Sequence, residues 1–104
     1  MKEKVDTKYV TLNENVQSGT SYALDLSVYG KNSSTATITA QPSNYTVSQV
    51  DQDAVTARNI YHFSSDTKID TQEKVVIEVT EKNNSRCHHD DDKTVVTINF
   101  TVSQ

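Results

Sequence analysis

Lys93-Thr94-Val95-Val96-Thr97-Ile98-Asn99-Phe100-Thr101-Val102 puts Val96, Ile98, Phe100 and Val102 on one parity and Val95, Thr97, Asn99 and Thr101 on the other. Successive side chains of an extended strand point to opposite faces, so this register buries one face and wets the other. The same beat recurs in Tyr22, Leu24, Leu26 and Val28 against Ala23, Asp25 and Ser27, and in Val75, Ile77 and Val79 against Val76, Glu78 and Thr80. No segment sustains a helical period. Ser and Thr together contribute 25 of the 104 residues and Val another 13, with no Trp, a balance that favours strands over a helical bundle.

Working outward from these runs, strand-like stretches are expected at about 8–12, 21–29, 34–40, 45–50, 58–64, 73–81 and 93–103. Between them stand sets of turn residues: Gln17-Ser18-Gly19, Gly30-Lys31-Asn32-Ser33, Pro42-Ser43-Asn44, Asp51-Gln52-Asp53, Ser64-Ser65-Asp66 and Asn83-Asn84-Ser85. About seven short strands at this spacing predict an all-β, two-sheet antiparallel Greek-key sandwich of the immunoglobulin-like type, and the scarcity of glycine (two residues) argues against a closed barrel. The expected core is Val10, Leu12, Tyr22, Leu24, Leu26, Val28, Ala36, Ile38, Val47, Ile60, Phe63, Val75, Ile77, Val79, Val96, Ile98, Phe100 and Val102. Residues 1–104 are expected to form one domain, large enough for a single core that removes about two-thirds of the unfolded chain's surface from water.

The formal charge of −4 is spread along the chain without a basic stripe, which argues against nucleic acid as a partner. No run of 18 apolar residues is present and the opening MKEKVDTKYV lacks an apolar signal stretch, so neither a membrane span nor an export tag is expected within these residues. Cys87 has no internal partner for a disulfide, which fits a monomer.

Candidate chemistry gathers in one polar stretch, Lys82 to Asp92, expected to be a long end-loop between the last two strands. Cys87, His88, His89, Asp90, Asp91 and Asp92 supply thiolate, imidazole and carboxylate donors in succession. Structural zinc needs four ligands converging from separated pairs, and the remaining histidine, His62, is no second pair. A Cys87–His88 nucleophile pair would need an orienting third group and an oxyanion hole on a rigid scaffold, and a polar loop supplies neither. Asp90, Asp91 and Asp92 are left as calcium candidates, since hard cations take several carboxylate oxygens, although the Asp-x-Asp-x-Asp-Gly spacing is missing. No other cofactor is expected and no catalytic residue is identified. Tyr29, on outward parity beside Val28, is the candidate platform for a sugar ring, in a chain that otherwise offers Tyr9, Tyr45 and Tyr61. Asn32, Asn44, Asn83 and Asn99 head Asn-x-Ser/Thr triplets, which a Ser/Thr-rich chain produces by chance.

Two stretches carry a family resemblance. Ala36-Thr37-Ile38-Thr39-Ala40-Gln41-Pro42-Ser43-Asn44-Tyr45-Thr46-Val47-Ser48 resembles the strand, Gln-Pro turn and Thr-Val re-entry of the immunoglobulin-like and cadherin-like modules strung in tandem along large bacterial surface proteins, with Asn44 where glycine is usual. Glu73-Lys74-Val75-Val76-Ile77-Glu78-Val79-Thr80-Glu81 is similar to a strand of the same modules, with Val75 and Ile77 in place of aromatics and Glu73 and Glu81 in place of aspartates. The resemblance implies a non-catalytic, exported module acting as spacer or adhesion element, with calcium at module junctions and neighbouring domains, a protein or a glycan as partners. The competing expectation is a carbohydrate- or calcium-recognition module appended to a secreted enzyme.

Overall fold

The computed structural model describes residues 7–29, 35–81 and 92–104. Seven strands, β1 (Thr7–Gln17), β2 (Ser21–Asp25), β3 (Thr35–Ala40), β4 (Val47–Gln52), β5 (Asn59–Ser64), β6 (Thr71–Glu81) and β7 (Asp92–Ser103), form two sheets. One sheet has the order β1-β7-β6-β3 and the other β2-β5-β4. Only the β4–β5 and β6–β7 connections join neighbours within a sheet; the others cross between sheets, which is the Greek-key wiring of an immunoglobulin-like sandwich.

The alternation in the last strand has the expected consequence. Val96, Ile98, Phe100 and Val102 are buried, as are Val75, Ile77 and Val79 of the neighbouring β6. The opposite sheet contributes Tyr61 and Phe63 from the centre of β5, with Tyr22 and Leu24 of β2 packed beside them. Phe100 bridges the layers: its ring stacks on Phe63 at a centroid distance of 4.1 Å and meets Tyr22 edge-on at 5.1 Å. Aromatic pairs in these arrangements contribute about 0.5–1.5 kcal/mol each beyond the area they bury.

Several sequence expectations are corrected. The sandwich is not wholly antiparallel, because β1 runs parallel to β7 over eleven register pairs, from Thr7 opposite Lys93 to Gln17 opposite Ser103. Strand β1 accordingly spans the full length of its partner, well beyond 8–12. The expected 21–29 strand stops at Asp25, whose Oδ1 accepts the Ser27 N–H at 2.9 Å and so caps a 3₁₀ turn, Leu26–Tyr29. Leu26 swings into the core, while Val28 loses its strand parity and is 70% exposed. Parity is also reversed at two other positions. Ser48 rather than Val47 faces inward on β4, and on β5 Tyr61 is fully buried while Ile60 is half-buried. Val10, Leu12, Ala36 and Ile38 face the core from the edge strands and are half-buried.

Because β1 and β7 are parallel, the start of β1 and the end of β7 lie at opposite poles. Ten residue steps of strand separate them by about 33 Å. The entry pole, where β1 begins, carries the 3₁₀ turn, the β4–β5 turn, the end of β6 and the start of β7. The exit pole carries the β1–β2, β3–β4 and β5–β6 connections. These are tied to one another: Ser18 N–H donates to the Ser103 carbonyl at 2.6 Å, Gly19 N–H to the Ser65 carbonyl at 2.7 Å, and Ser18 Oγ to the Thr67 carbonyl at 2.8 Å. Gly19 takes φ +88° in the β1–β2 turn, a conformation that costs a residue with a Cβ more than it costs glycine.

Candidate functional site

The acidic candidates fall at the margin of the described residues. Asp90 and Asp91, with Cys87, His88 and His89, lie outside them; Asp92 is the first residue of β7 and pairs through its backbone with Glu81. Among the described residues no group of three or more His, Cys, Asp or Glu side chains converges on a point. His62 stands on β5 with Nε2 3.5 Å from Asp51 Oδ2, on the solvent side of the three-stranded sheet. Tyr29 is not the outward platform its parity suggests. It ends the 3₁₀ turn half-buried against the core, and its carbonyl accepts the Thr94 hydroxyl at 3.2 Å, which fastens the turn to β7. Tyr61 is equally unavailable, because burial places it wholly inside the sandwich.

Two polar constructions organise the exit pole. In the first, the Ser48 hydroxyl donates to Gln41 Oε1 at 2.6 Å and lies 2.7 Å from the Tyr61 phenol, joining the β3–β4 connection to the middle of the opposite sheet. Burial pushes the Tyr61 phenol up to about 12, against the opposing pull of its hydrogen bond to Ser48. In the second, the Glu73 carboxylate is turned inward, 3% exposed, and holds the Pro42-Ser43-Asn44 turn. Its Oε1 accepts the Ser43 N–H at 2.8 Å and the Asn44 N–H at 3.0 Å, and its Oε2 accepts Asn44 Nδ2 at 3.1 Å. Burial by itself would raise this carboxyl; the Asn44 backbone and side-chain donors, with the Ser43 N–H, outweigh it and hold the pKa below the ordinary carboxylate value. Glu73 is thus a turn anchor.

A depression of about 520 Å³ lies on the outer face of the four-stranded sheet, in its exit half. Register brings three short rows together there: Asn13, Asn99 and Lys74; Glu14, Phe100 and Glu73; Asn15, Thr101 and Gln72. The middle row sends its side chains to the core face, since Phe100 is buried there, so the floor of the depression is backbone and its walls are the amide, hydroxyl and ammonium groups of the outer two rows. Sequence reading missed this surface because its parts come from three strands far apart in the chain. The one available signal was the run of polar residues on outward parity, Asn13, Asn15, Asn99 and Thr101. A second depression, of about 400 Å³, lies at the exit pole between the β3–β4 and β5–β6 connections and includes the exposed Tyr45 and Ile69.

No protein-family model matches the chain, and no curated protein matches it. Among solved structures, a 2,6-sialyltransferase from Photobacterium sp. JT-ISH-224, in complex with CMP and lactose, is similar over 98% of this chain and 19% of its own, at 8% identity and a TM-score of 0.49. An endo-fucoidan hydrolase of glycoside hydrolase family 107 is similar over 92% of this chain and 13% of its own, at 10% identity and a TM-score of 0.50. The chain therefore spans less than a fifth of either enzyme, and at 10% identity the likeness to the endo-fucoidan hydrolase is one of fold.

Proposed function

We propose that this chain is a non-catalytic module of a bacterial cell-surface or secreted protein, serving as a structural spacer or adhesion element between neighbouring domains. The observation that supports this reading is the parallel pairing of β1 with β7. It sends the two ends of the sandwich out of opposite poles, so modules of this kind joined in series add their lengths. It also decides how tension acts. Pulling the start of β1 and the end of β7 apart slides the two strands along each other, and the hydrogen bonds across eleven register pairs resist together instead of opening one after another. The elongated body, 54 × 31 × 16 Å, suits the same use.

Single-molecule pulling tests this reading. Handles at residues 7 and 103 load the β1–β7 ladder in shear; handles at residues 80 and 93, which are register partners, peel β6 from β7. With Cys87 replaced by serine so that thiol handles are unique, the shear geometry is expected to require a several-fold larger unfolding force than the peeling geometry. Equal, low forces in the two geometries remove the mechanical argument for a spacer.

The second reading is a carbohydrate- or calcium-recognition module carried by a secreted enzyme. It is favoured by one observation, that this fold recurs as a minor part of an endo-fucoidan hydrolase chain. Calcium titration followed by calorimetry and by melting temperature separates its two forms, and the absence of both heat and shift at millimolar calcium eliminates the calcium form.

A further inference from the structure

We propose that the outer face of the four-stranded sheet, over its exit half, binds an acidic polysaccharide whose hydroxyls meet the side-chain amides of Asn13, Asn15, Gln72 and Asn99 and whose carboxylate or sulfate meets Lys74. This rests on the adhesion half of the reading above and assigns it a place and a ligand chemistry.

The argument begins with what the backbone leaves available. At this site β7 is paired on both sides, by β1 and by β6, so its N–H and C=O groups are spent within the ladder and an arriving chain cannot add to it as a further strand. Recognition must come from side chains. Those present are mostly primary amides, each of which offers a donor and an acceptor on one rigid plane, the complement of neighbouring hydroxyls that also donate and accept. Much of this capacity is unused. Asn99 Nδ2 donates to Asn13 Oδ1 at 3.3 Å, leaving the Asn13 amino group and the Asn99 carbonyl to spare. Asn15, Gln72, Thr101 and Lys74 make no side-chain hydrogen bond or ion pair with any described residue.

Charge then narrows the ligand. Higher on the same face, Lys93 is neutralised by Glu78 at 3.4 Å. Among the described residues Lys74 has no such neighbour on the outer face, because the two carboxylates in the adjoining row, Glu14 and Glu73, follow Phe100 to the core side of the sheet. A lone ammonium among neutral amides complements one anionic group per binding stretch. It does not complement a densely charged strand of nucleic acid, whose binding needs several cations. The depression falls within the volume range of small-ligand sites and is open along the sheet, so a polymer can pass through it. Among the described residues no exposed aromatic ring lines it, so affinity per site is low and adhesion would depend on repeated sites along one polymer.

Native gel electrophoresis in gels containing polygalacturonate, dextran sulfate or unsubstituted dextran tests the proposal with the whole chain. The protein carries a net charge of −4, so non-specific adsorption to an acidic polymer is opposed, and retardation reports a specific site. Retardation by one or both acidic polymers is expected, with the uronate and sulfate gels distinguishing the anionic group, and little or none is expected from dextran. Lys74→Gln should weaken the association about tenfold, as expected for loss of a charged hydrogen bond, and Asn15→Ala should weaken it severalfold. Tyr9→Ala, elsewhere on the same face, should leave it unchanged. Both site residues are exposed, so urea midpoints of the variants should match the parent and confirm folding. Absence of retardation in both acidic gels, equal retardation by dextran, or unchanged retardation of Lys74→Gln each overturns the proposal. None of these outcomes bears on the pulling experiment, and a low shear force has no bearing on the gels.

Discussion

Glu73 offers the sharpest test of how the exit pole is built. Three donors converge on its carboxylate at 2.8, 3.0 and 3.1 Å, two from backbone and one from the Asn44 amide. Hydrogen bonds to a charged group contribute about 1.5–3 kcal/mol each when one partner is removed. The simple sum overstates the loss, because Ser43 and Asn44 are exposed and water takes up their N–H groups once the acceptor has gone. For Glu73→Ala the expected destabilisation is therefore about 3 kcal/mol, equivalent to a drop of roughly 10–20 °C in Tm for a domain of this size. Glu73→Gln keeps one acceptor oxygen and the side-chain volume but loses the charge and turns an amino group toward a donor; about 1.5 kcal/mol is expected. Acid sharpens the distinction. The folded-state pKa lies below the unfolded value, so the stabilisation is present above the unfolded pKa and is lost as pH falls through the folded one. Urea unfolding curves measured from neutral pH downward should show the parent losing its advantage over Glu73→Gln in that acid window, so the two curves converge. A Gln variant as stable as the parent at neutral pH, or a constant gap between them throughout the acid range, refutes the view that a charged carboxylate holds this turn.

Three further outcomes follow from the same geometry. Ala57 closes the β4–β5 turn at φ +61°, so Ala57→Gly should raise stability by about 0.5–1 kcal/mol, read as an increased urea midpoint at unchanged slope. Burial pushes both the Tyr22 and Tyr61 phenols up to about 12. Their contribution is therefore intact below pH 10 and declines as pH rises toward 12, and phenolate absorbance should show two of the five tyrosines ionising only near that pH or on unfolding. Glu14→Val completes an unbroken apolar row, Val10, Leu12, residue 14 and Val16, along the inward side of edge strand β1 and should raise self-association, measured by sedimentation velocity against the parent.

What the sequence discloses and what it conceals follow one physical line. Val96, Ile98, Phe100 and Val102 are legible because a strand with one wet face must alternate, and nothing local competes with extension there. Val28 is misread because Asp25 competes: its carboxylate captures the Ser27 N–H and bends the chain into a 3₁₀ turn before the alternation is complete. Ser48 is misread for a different reason. A hydroxyl is placed inside only when partners await it, and those partners, Gln41 and Tyr61, are supplied by other elements. Tyr61 itself was recoverable, since it shares parity with Phe63 on one short strand. The parallel β1–β7 pair is a contact between the two ends of the chain, and no local pattern announces it. The polar depression is concealed in the same way, as three fragments of three strands.

The two carboxylates beside Phe100 show how one sheet reconciles its conflicting demands. Glu14 on β1 and Glu73 on β6 are the register partners of Phe100 on its two sides, so both point to the core face, where an unpaired charge is costly. Glu73 sits on an interior strand and is covered, so it must be satisfied by protein, and the turn after β3 supplies the donors. Glu14 sits on the sheet edge, half-buried beside Tyr22, where water can reach it, and there its charge is useful because it is unsatisfied. Strand β1 runs along the sheet edge for eleven residues, and a long edge is a template for unwanted strand addition. An inward charge at Glu14 keeps the length while spoiling the apolar row that a second sheet would bury. The long pairing of edge strand β1 with β7 therefore explains why a glutamate, and not the valine its register would favour, stands opposite Phe100.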